Sequence, residues 1–281
     1  RRGGRRRAGG GDRRVSALLE IYRAQLKTAI LLELQYRAAL LIWLIGTVLD
    51  PVVYLTVWAT AARSSGGEVG DFSARDFAAY FIVRMLVNHL TFTWIMWEYE
   101  WRIRQGVFSA LLLRPIHPIH KDIADNVTYK LLGLTVLLPT AAVLTLVYRP
   151  AWHFQPWAVA AFAPALILAF FLRFFVEWTL ALSAFWTTRV NAINQMYYLV
   201  LLFMSGMATP LELLPGPLRA LAAALPFRWM VAFPVELLLG RLSPGQALAG
   251  FAAQAGWLAL ALALMTVMWR VGARRYSAVG A

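Results

Sequence analysis

Hydrophobic residues in this chain fall into long blocks separated by short polar or charged segments. The first helical period runs from Ser16 to Arg37, SALLEIYRAQLKTAILLELQYR. There Leu18, Ile21, Leu26 and Ile30 can share one side, while Glu20, Arg23, Lys27 and Gln35 lie elsewhere. Ser16 suits an N-cap, and the alternation of charge and oil predicts a helix lying in a membrane interface. Apolar blocks follow at about 38–62, 77–97, 124–148, 157–186, 192–208 and 247–269. A helix needs ~20 apolar residues to cross a bilayer, and the fourth block is long enough to tilt or to extend beyond it. The connections are Gly- and Ser-rich (RSSGGEVGDFSARD), a turn (YRPAWHFQPW) and a short polar connector (TTRVNAIN). The ~10-residue alternation of membrane strands is absent. The pattern predicts an all-α, polytopic membrane protein with six transmembrane helices.

Two segments depart from that pattern. RIRQGVFSALLLRPIHPIHKD, from Arg102 to Asp122, reads as one short helix in which Ile103, Val107 and Leu111 recur every four residues. Arg102, Gln105 and Ser109 lie on its other faces; Pro115 ends it and Pro118 prevents an immediate restart. TPLELLPGPLRALAAALPFRWMVAFPVELLLGRLSPG is apolar but broken by prolines, among them Pro210, Pro215 and Pro226. It predicts short interfacial or re-entrant helices whose broken backbone is covered by protein. Glu212 and Glu236 within it can cap or pair locally, with Arg219 or Arg228 as candidate partners.

Composition agrees with a membrane class: 60% of the 281 residues are hydrophobic, and the mean hydropathy is +0.60. Trp94, Trp97, Trp101, Trp152, Trp157, Trp186, Trp229 and Trp269 near the block ends fit an aromatic belt. The net charge of +13 would point to nucleic acid in a soluble protein. Here its distribution gives an orientation instead, so no nucleic-acid partner is expected. With both termini cytoplasmic, the inner side holds the basic start, Arg102, Arg104, Arg114, Lys121, Arg189, Arg270, Arg274 and Arg275. The outer side holds Arg63, Arg75, Arg149, Arg219, Arg228 and Arg241, so the positive-inside rule favours this orientation. It makes the Arg102 segment cytoplasmic and the Pro-rich segment external. The start, RRGGRRRAGGGDRR, is expected to be a disordered tail (1–15) beside anionic lipid. The first apolar block is too long and too distant from it for a cleaved signal peptide. Residues 16–276 form one transmembrane domain and 277–281 a short tail. The absence of cysteine removes disulfides and thiolate metal sites.

Polar groups inside the apolar blocks are costly and must pair or face water. Asp50, followed by Pro51, lies near the middle of the first span, at roughly the depth of Arg173 in the fourth; Arg84 lies nearer the outer face. Arg173 and Glu177, four apart, can pair with each other. Asn88 and His89 can bond across helices. Each of these six residues can line a translocation path or serve as a structural tie. His117 and His120 lack a third ligand, and Pro118 lies between them, so no metal is expected. NVT at Asn126 matches a glycosylation acceptor but falls at a cytoplasmic helix start, and it is set aside.

From about Ser16 to Tyr276 the chain resembles the permease subunit of ABC type-2 transporters of the exporter class. Three features carry this: the interfacial helix, the EYEWRIRQGVFSALLLRPIHP loop, and FMSGMATPLELLPGPLRALAAALPFRWMVAFPVELLLG, which is similar to that family's outer re-entrant helices. The resemblance implies that Arg102, Arg104, Gly106, Val107, Phe108, Leu111, Leu112 and Arg114 belong to a cytoplasmic coupling helix docking on P-loop ATPase subunits. It also implies an outer re-entrant region around Pro210, Glu212, Pro215, Pro226 and Glu236. ATP and Mg would then sit on the partner ATPase, with no cofactor on this chain, which has no G-x-x-x-x-G-K-[ST] motif. HPIHKDIADN and AFWTTRVNAINQMYYL are similar to a branch in which two different permeases pair with one type of ATPase. The second permease is therefore identical or related. The expected place is the plasma (inner) membrane, among lipids, and the mostly apolar spans fit a hydrophobic or amphiphilic solute. Two other readings stay open: an intramembrane lipid-modifying enzyme or protease, drawing on Asp50, His89 and Glu177, and a non-transporting assembly factor.

Overall fold

The computed structural model describes residues 9–35, 37–187 and 190–275. Arg189, Tyr276 and most of the expected basic tail lie outside the described residues. The chain runs α1 (Gly9–Gln35), α2 (Arg37–Ser64), a small antiparallel hairpin β1 (Glu68–Val69) and β2 (Phe72–Ser73), and α3 (Ala74–Thr91). Then come α4 (Ile95–Arg104), α5 (Val107–Leu112), α6 (Ile119–Tyr148), α7 (Pro156–Ala181) with a 3-10 extension Leu182–Phe185, and α8 (Val190–Met204). A 3-10 turn (Leu211–Leu213), α9 (Gly216–Ala224), α10 (Phe227–Met230), α11 (Ala232–Leu238) and α12 (Pro244–Arg275) complete it.

The fold is nearly all-α, as the pattern predicts. Among the described residues four helices are long and apolar enough to cross a membrane: Leu41–Ser64, Ile119–Tyr148, Pro156–Phe185 and Pro244–Arg275. The second and fifth expected spans fall outside that set by length and composition. α3 stops at Thr91 after 18 residues, and Arg75, Asp76, Arg84, Asn88 and His89 lower its hydropathy. It is buried along most of its length, so protein rather than lipid surrounds it. α8 has 15 residues, and the chain turns at Gly206, whose φ of 84° suits glycine. α1 is already helical at Gly9, so Ser16 is not its N-cap. α1 lies against α6, with Ala29 buried and Ile30, Leu31 and Leu32 exposed.

α7 and α3 form the centre. α7 packs against α12, α11, α4 and α3, and α3 also packs against α2 and α6. A capping box between Ser73 and Asp76 starts α3. Arg75 Nε donates to Arg149 O at 2.7 Å and Ala151 N to Arg75 O at 3.1 Å, which ties that start to the α6–α7 turn. Trp58, Phe72, Phe77 and Phe81 stack beside it. The outward faces of α2, α6 and α12 carry Ile42, Trp43, Leu146, Val147, Leu248 and Val267. An apolar surface of that extent suits lipid rather than water.

Close helix approaches depend on small residues. A Cβ on Gly250 of α12 would lie 2.0 Å from Phe233, whereas one on Gly256 of the same helix meets nothing within 4 Å. Gly250→Ala is expected to lower the unfolding midpoint of the detergent-purified chain through ~1–3 kcal/mol of overpacking. Gly256→Ala should leave it unchanged or raise it, because alanine is the better helix former. Paired thermal unfolding curves check both.

Candidate functional site

The deepest polar cluster lies where α3 stops and α4 begins. Phe92, Thr93 and Trp94 are not helical, so the carbonyls closing α3 need other donors. Lys130 of α6 reaches across: its Nζ donates to Phe92 O at 2.7 Å and to Asn126 Oδ1 at 3.3 Å. Tyr198 OH of α8 donates to Thr93 O at 3.2 Å. Arg173 of α7 donates from Nη1 to Asn88 Oδ1 at 2.9 Å and to Thr91 Oγ1 at 3.2 Å. Two cations therefore sit at the negative end of the α3 dipole. Arg173 Nε also pairs with Glu177 Oε1 at 2.8 Å. Glu177 in turn accepts from Thr93 Oγ1 and from Tyr197 OH at 3.1 Å. The Arg173–Glu177 pair is essentially inaccessible, and these extra bonds offset the cost of burying it. His89 sits alongside, with Nε2 3.1 Å from Lys130 O, against the space that Gly133 leaves.

A second clamp holds α4. Arg102 Nη1 donates to Asp122 Oδ1 at 2.7 Å and Nη2 to Glu98 Oε1 at 2.5 Å. Asp122 Oδ2 accepts from Tyr99 OH and from Trp178 Nε1, both at 3.0 Å. Arg102 is thus buried in an ion pair between helices rather than displayed on an outer face. The segment is also not one helix from Arg102. Gly106, at φ 70°, separates α4 from α5, so Ile103 and Val107 do not share a continuous stripe.

α5 has two distinct sides. Phe108 is fully buried and Leu111 nearly so. Phe108 packs against Tyr99, Phe185 and Trp269. Val107, Leu112, Leu113 and Arg114 face out. Arg104 pairs with Glu100 at 3.3 Å and stays exposed. The His117 ring lies tilted against Trp269, with centroids 4.3 Å apart, and burial, with His120 nearby, holds its pKa below the usual value. His120 Nδ1 bonds Tyr22 OH at 2.9 Å, which joins α1 to α6. Trp269 belongs to this internal cluster rather than to a surface belt.

Asp50 and Arg173, placed at one depth by counting, do not meet. Asp50 pairs with Arg84 of α3 at 2.9 Å. The Arg84 guanidinium lies over Tyr54 and Phe81 at 5.4 and 5.2 Å.

The Pro-rich segment folds back into the bundle. Pro210 and Pro215 precede the 3-10 turn and α9, and Pro226 caps α10. Met230 to Leu237 are buried. Gln254 Nε2 of α12 donates to Ala165 O and Trp229 O at 3.0 and 2.9 Å, and Tyr80 OH to Gly206 O at 2.8 Å. Glu236 pairs with Arg228 at 2.8 Å. Glu212 pairs with Arg241 at 2.7 Å, while Arg219 donates to the Glu212 backbone carbonyl at 2.6 Å. Tyr197 OH lies 3.9 Å from Met230 Sδ, so one side chain touches both Glu177 and the folded-back segment.

A family model described as "ABC-2 family transporter protein" matches residues 28–280, nearly the whole chain. The chain belongs to the ABC-2 transporter family. No individual curated protein matches it. Its family consists of membrane-embedded transport subunits, and the four long apolar helices agree with a membrane location.

In this ABC-2 chain the sequence reading misses Lys130, Asp122, Thr93, Tyr197 and Tyr198 as parts of the buried network. A lone lysine in NVTYKLLGLTV, well inside an apolar run, was the available signal. Thr93 and the two tyrosines carry none, because their roles arise only from the break. Glu177→Ala should leave Arg173 buried without its carboxylate, at a cost of about 3–5 kcal/mol. The expected result is a much lower unfolding midpoint in detergent. An Arg173→Leu/Glu177→Leu double variant should recover part of the loss.

Proposed function

We propose that this chain is the permease subunit of an ATP-driven exporter. It would form a path with a second permease, identical or related, and be driven by separate P-loop ATPase subunits that bind ATP and Mg. The observation that carries the coupling is α5. Phe108 and Leu111 anchor it, while Val107, Leu112 and Leu113 stay exposed between Arg104 and Arg114. Apolar side chains rimmed by cations at a loop end suit contact with a protein partner. Family membership supports the transport role.

In this reading α3 and α8 complete six crossings, with α3 shielded from lipid by its neighbours. The α5 end is cytoplasmic, because it collects Arg102, Arg104, Arg114, Lys121, Arg270, Arg274 and Arg275. The hairpin and the folded-back α9–α11 segment then face outward across the plasma membrane, and both termini lie inside. The rigid α4–α5 unit, clamped by Arg102–Asp122, passes the push of the ATPase to the break at Phe92–Trp94. The solute is apolar or amphiphilic, matching the walls.

The test is capture of the chain from native membranes, followed by identification of the proteins that come with it. Val107→Asp/Leu113→Asp places charge on the exposed side of α5 without touching Phe108 or Leu111. A P-loop ATPase is expected with the wild type and lost, by tenfold or more, with the variant (~1.4 kcal/mol or more). An ATPase held equally by the variant would overturn the α5 assignment.

A further inference from the structure

Charged side chains at membrane depth fall into two groups. Arg84, Lys130, Arg173 and Glu177 are buried. Asp50, midway along α2, has a side chain 47% exposed. Its Oδ2 accepts from Arg84 Nη2, and its Oδ1 has no partner among the described residues. The compensating cation cannot be reached from outside: Arg84 is 1% exposed, behind Tyr54 and Phe81. Anything in front of α2 at this level therefore meets a carboxylate oxygen and no positive charge.

The surroundings are apolar and partly aromatic. Gly46, one turn from Asp50, leaves open space. Trp43, Val53 and Val57 extend the same face and are exposed, and Tyr54 lies one turn on. Arg84 meets Oδ2 from the buried side, and the open Oδ1 leaves a carboxylate oxygen in an apolar wall, where polar groups are costly unless something polar meets them. Aromatic faces beside it favour a cation further.

We propose that this face of α2 is a substrate subsite for a lipophilic cation, with Asp50 as the residue that selects the charge. The cationic head meets Asp50 Oδ1, and the apolar body lies along Trp43, Val53 and Val57. The inference rests on the permease reading and names the class of solute for it.

The test uses the purified full chain in nanodiscs, with empty discs subtracted. The probes are radiolabelled tetraphenylphosphonium and tetraphenylborate, which share a shape and differ in sign. Saturable tetraphenylphosphonium binding is expected for the wild type and for Asp50→Glu. It should weaken by about tenfold or more in Asp50→Asn, with no saturable tetraphenylborate binding. The Asp50→Asn/Arg84→Gln double variant removes both buried and exposed charge together, so its expected loss of binding does not come from a stranded arginine. Preference for tetraphenylborate overturns the proposal, as does unchanged tetraphenylphosphonium binding in Asp50→Asn. So does a loss of binding accompanied by a loss of chain–chain cross-linking, which would assign this face to a second copy. ATPase capture is read on the same variants. Binding lost with capture intact is the outcome for a selective subsite. No cation binding in the wild type with capture intact sinks the subsite alone, and no capture with cation binding intact sinks the permease reading alone.

Discussion

The interruption between α3 and α4 sets the terms for much of this structure. Away from water, a broken helix leaves carbonyls and N–H groups that only protein can satisfy. Lys130 from α6 and Tyr198 from α8 donate to the Phe92 and Thr93 carbonyls, while Arg173 from α7 holds the Asn88 and Thr91 side chains just before them. This brings Lys130 and Arg173 into the interior, and Glu177 balances the arginine. Among the described residues the Lys130 amine meets a carbonyl, an amide oxygen and, at 4.8 Å, the Phe170 ring. The buried position of α3, its polar residues and its shortness follow from this single arrangement. A helix surrounded by helices has no need to be apolar all round.

Other breaks in the chain use the same solution with different parts. In the folded-back segment α10 and α11 pack on α7, α12 lies against α10, and Gln254 of α12 donates both to Trp229 O within the segment and to Ala165 O of α7. Gly106 breaks the chain near the other end, where Phe108 and the Arg102–Asp122 pair hold the two pieces. Each of these breaks is met by at least one side chain from a long helix: Lys130 and Asp122 from α6, and Gln254 from α12. The long helices carry few charges on their outward faces, as a lipid solvent requires.

This division explains what the sequence could and could not reveal. Long apolar runs announce α2, α6, α7 and α12 directly, because composition alone decides them. The prolines announce that the segment after α8 is broken. What stays hidden is partnership. Asp50 and Arg173 lie at one depth by counting, yet α3 inserts between their helices and offers Arg84 to one and Asn88 to the other. Arg102 reads as an exposed cation in a charged loop, yet Asp122, twenty residues on, buries it. Periodicity also fails at Gly106: the four-residue recurrence of Ile103, Val107 and Leu111 is real in the sequence, but a left-handed glycine cancels it. Pairings across helices depend on rotation about each axis, which a single chain of letters does not encode.

The two mid-membrane carboxylates make the functional contrast concrete. Glu177 has an arginine, a threonine and a tyrosine on its two oxygens and no accessible surface. Its charge is fully spent inside the bundle, so it organises helices and can recognise nothing that enters. Asp50 has one arginine on one oxygen and half its side chain open. Its pairing with Arg84 offsets part of the cost of that position, and the second oxygen stays open. Tyr197 joins the Glu177 network to the folded-back segment. Its hydroxyl belongs to the Glu177 network, while its sulfur neighbour, Met230, belongs to the folded-back segment. Phe108 on α5 packs through Tyr99 on Trp178 of α7, and the preceding residue of α7, Glu177, is joined through Tyr197 to Met230, so α7 itself links the two sets of contacts. Such a path transmits movement only if some element along it has two arrangements. At Phe92–Trp94 the ladders of α3 and α4 run out at the Phe92 and Thr93 carbonyls, which side chains from α6 and α8 hold instead.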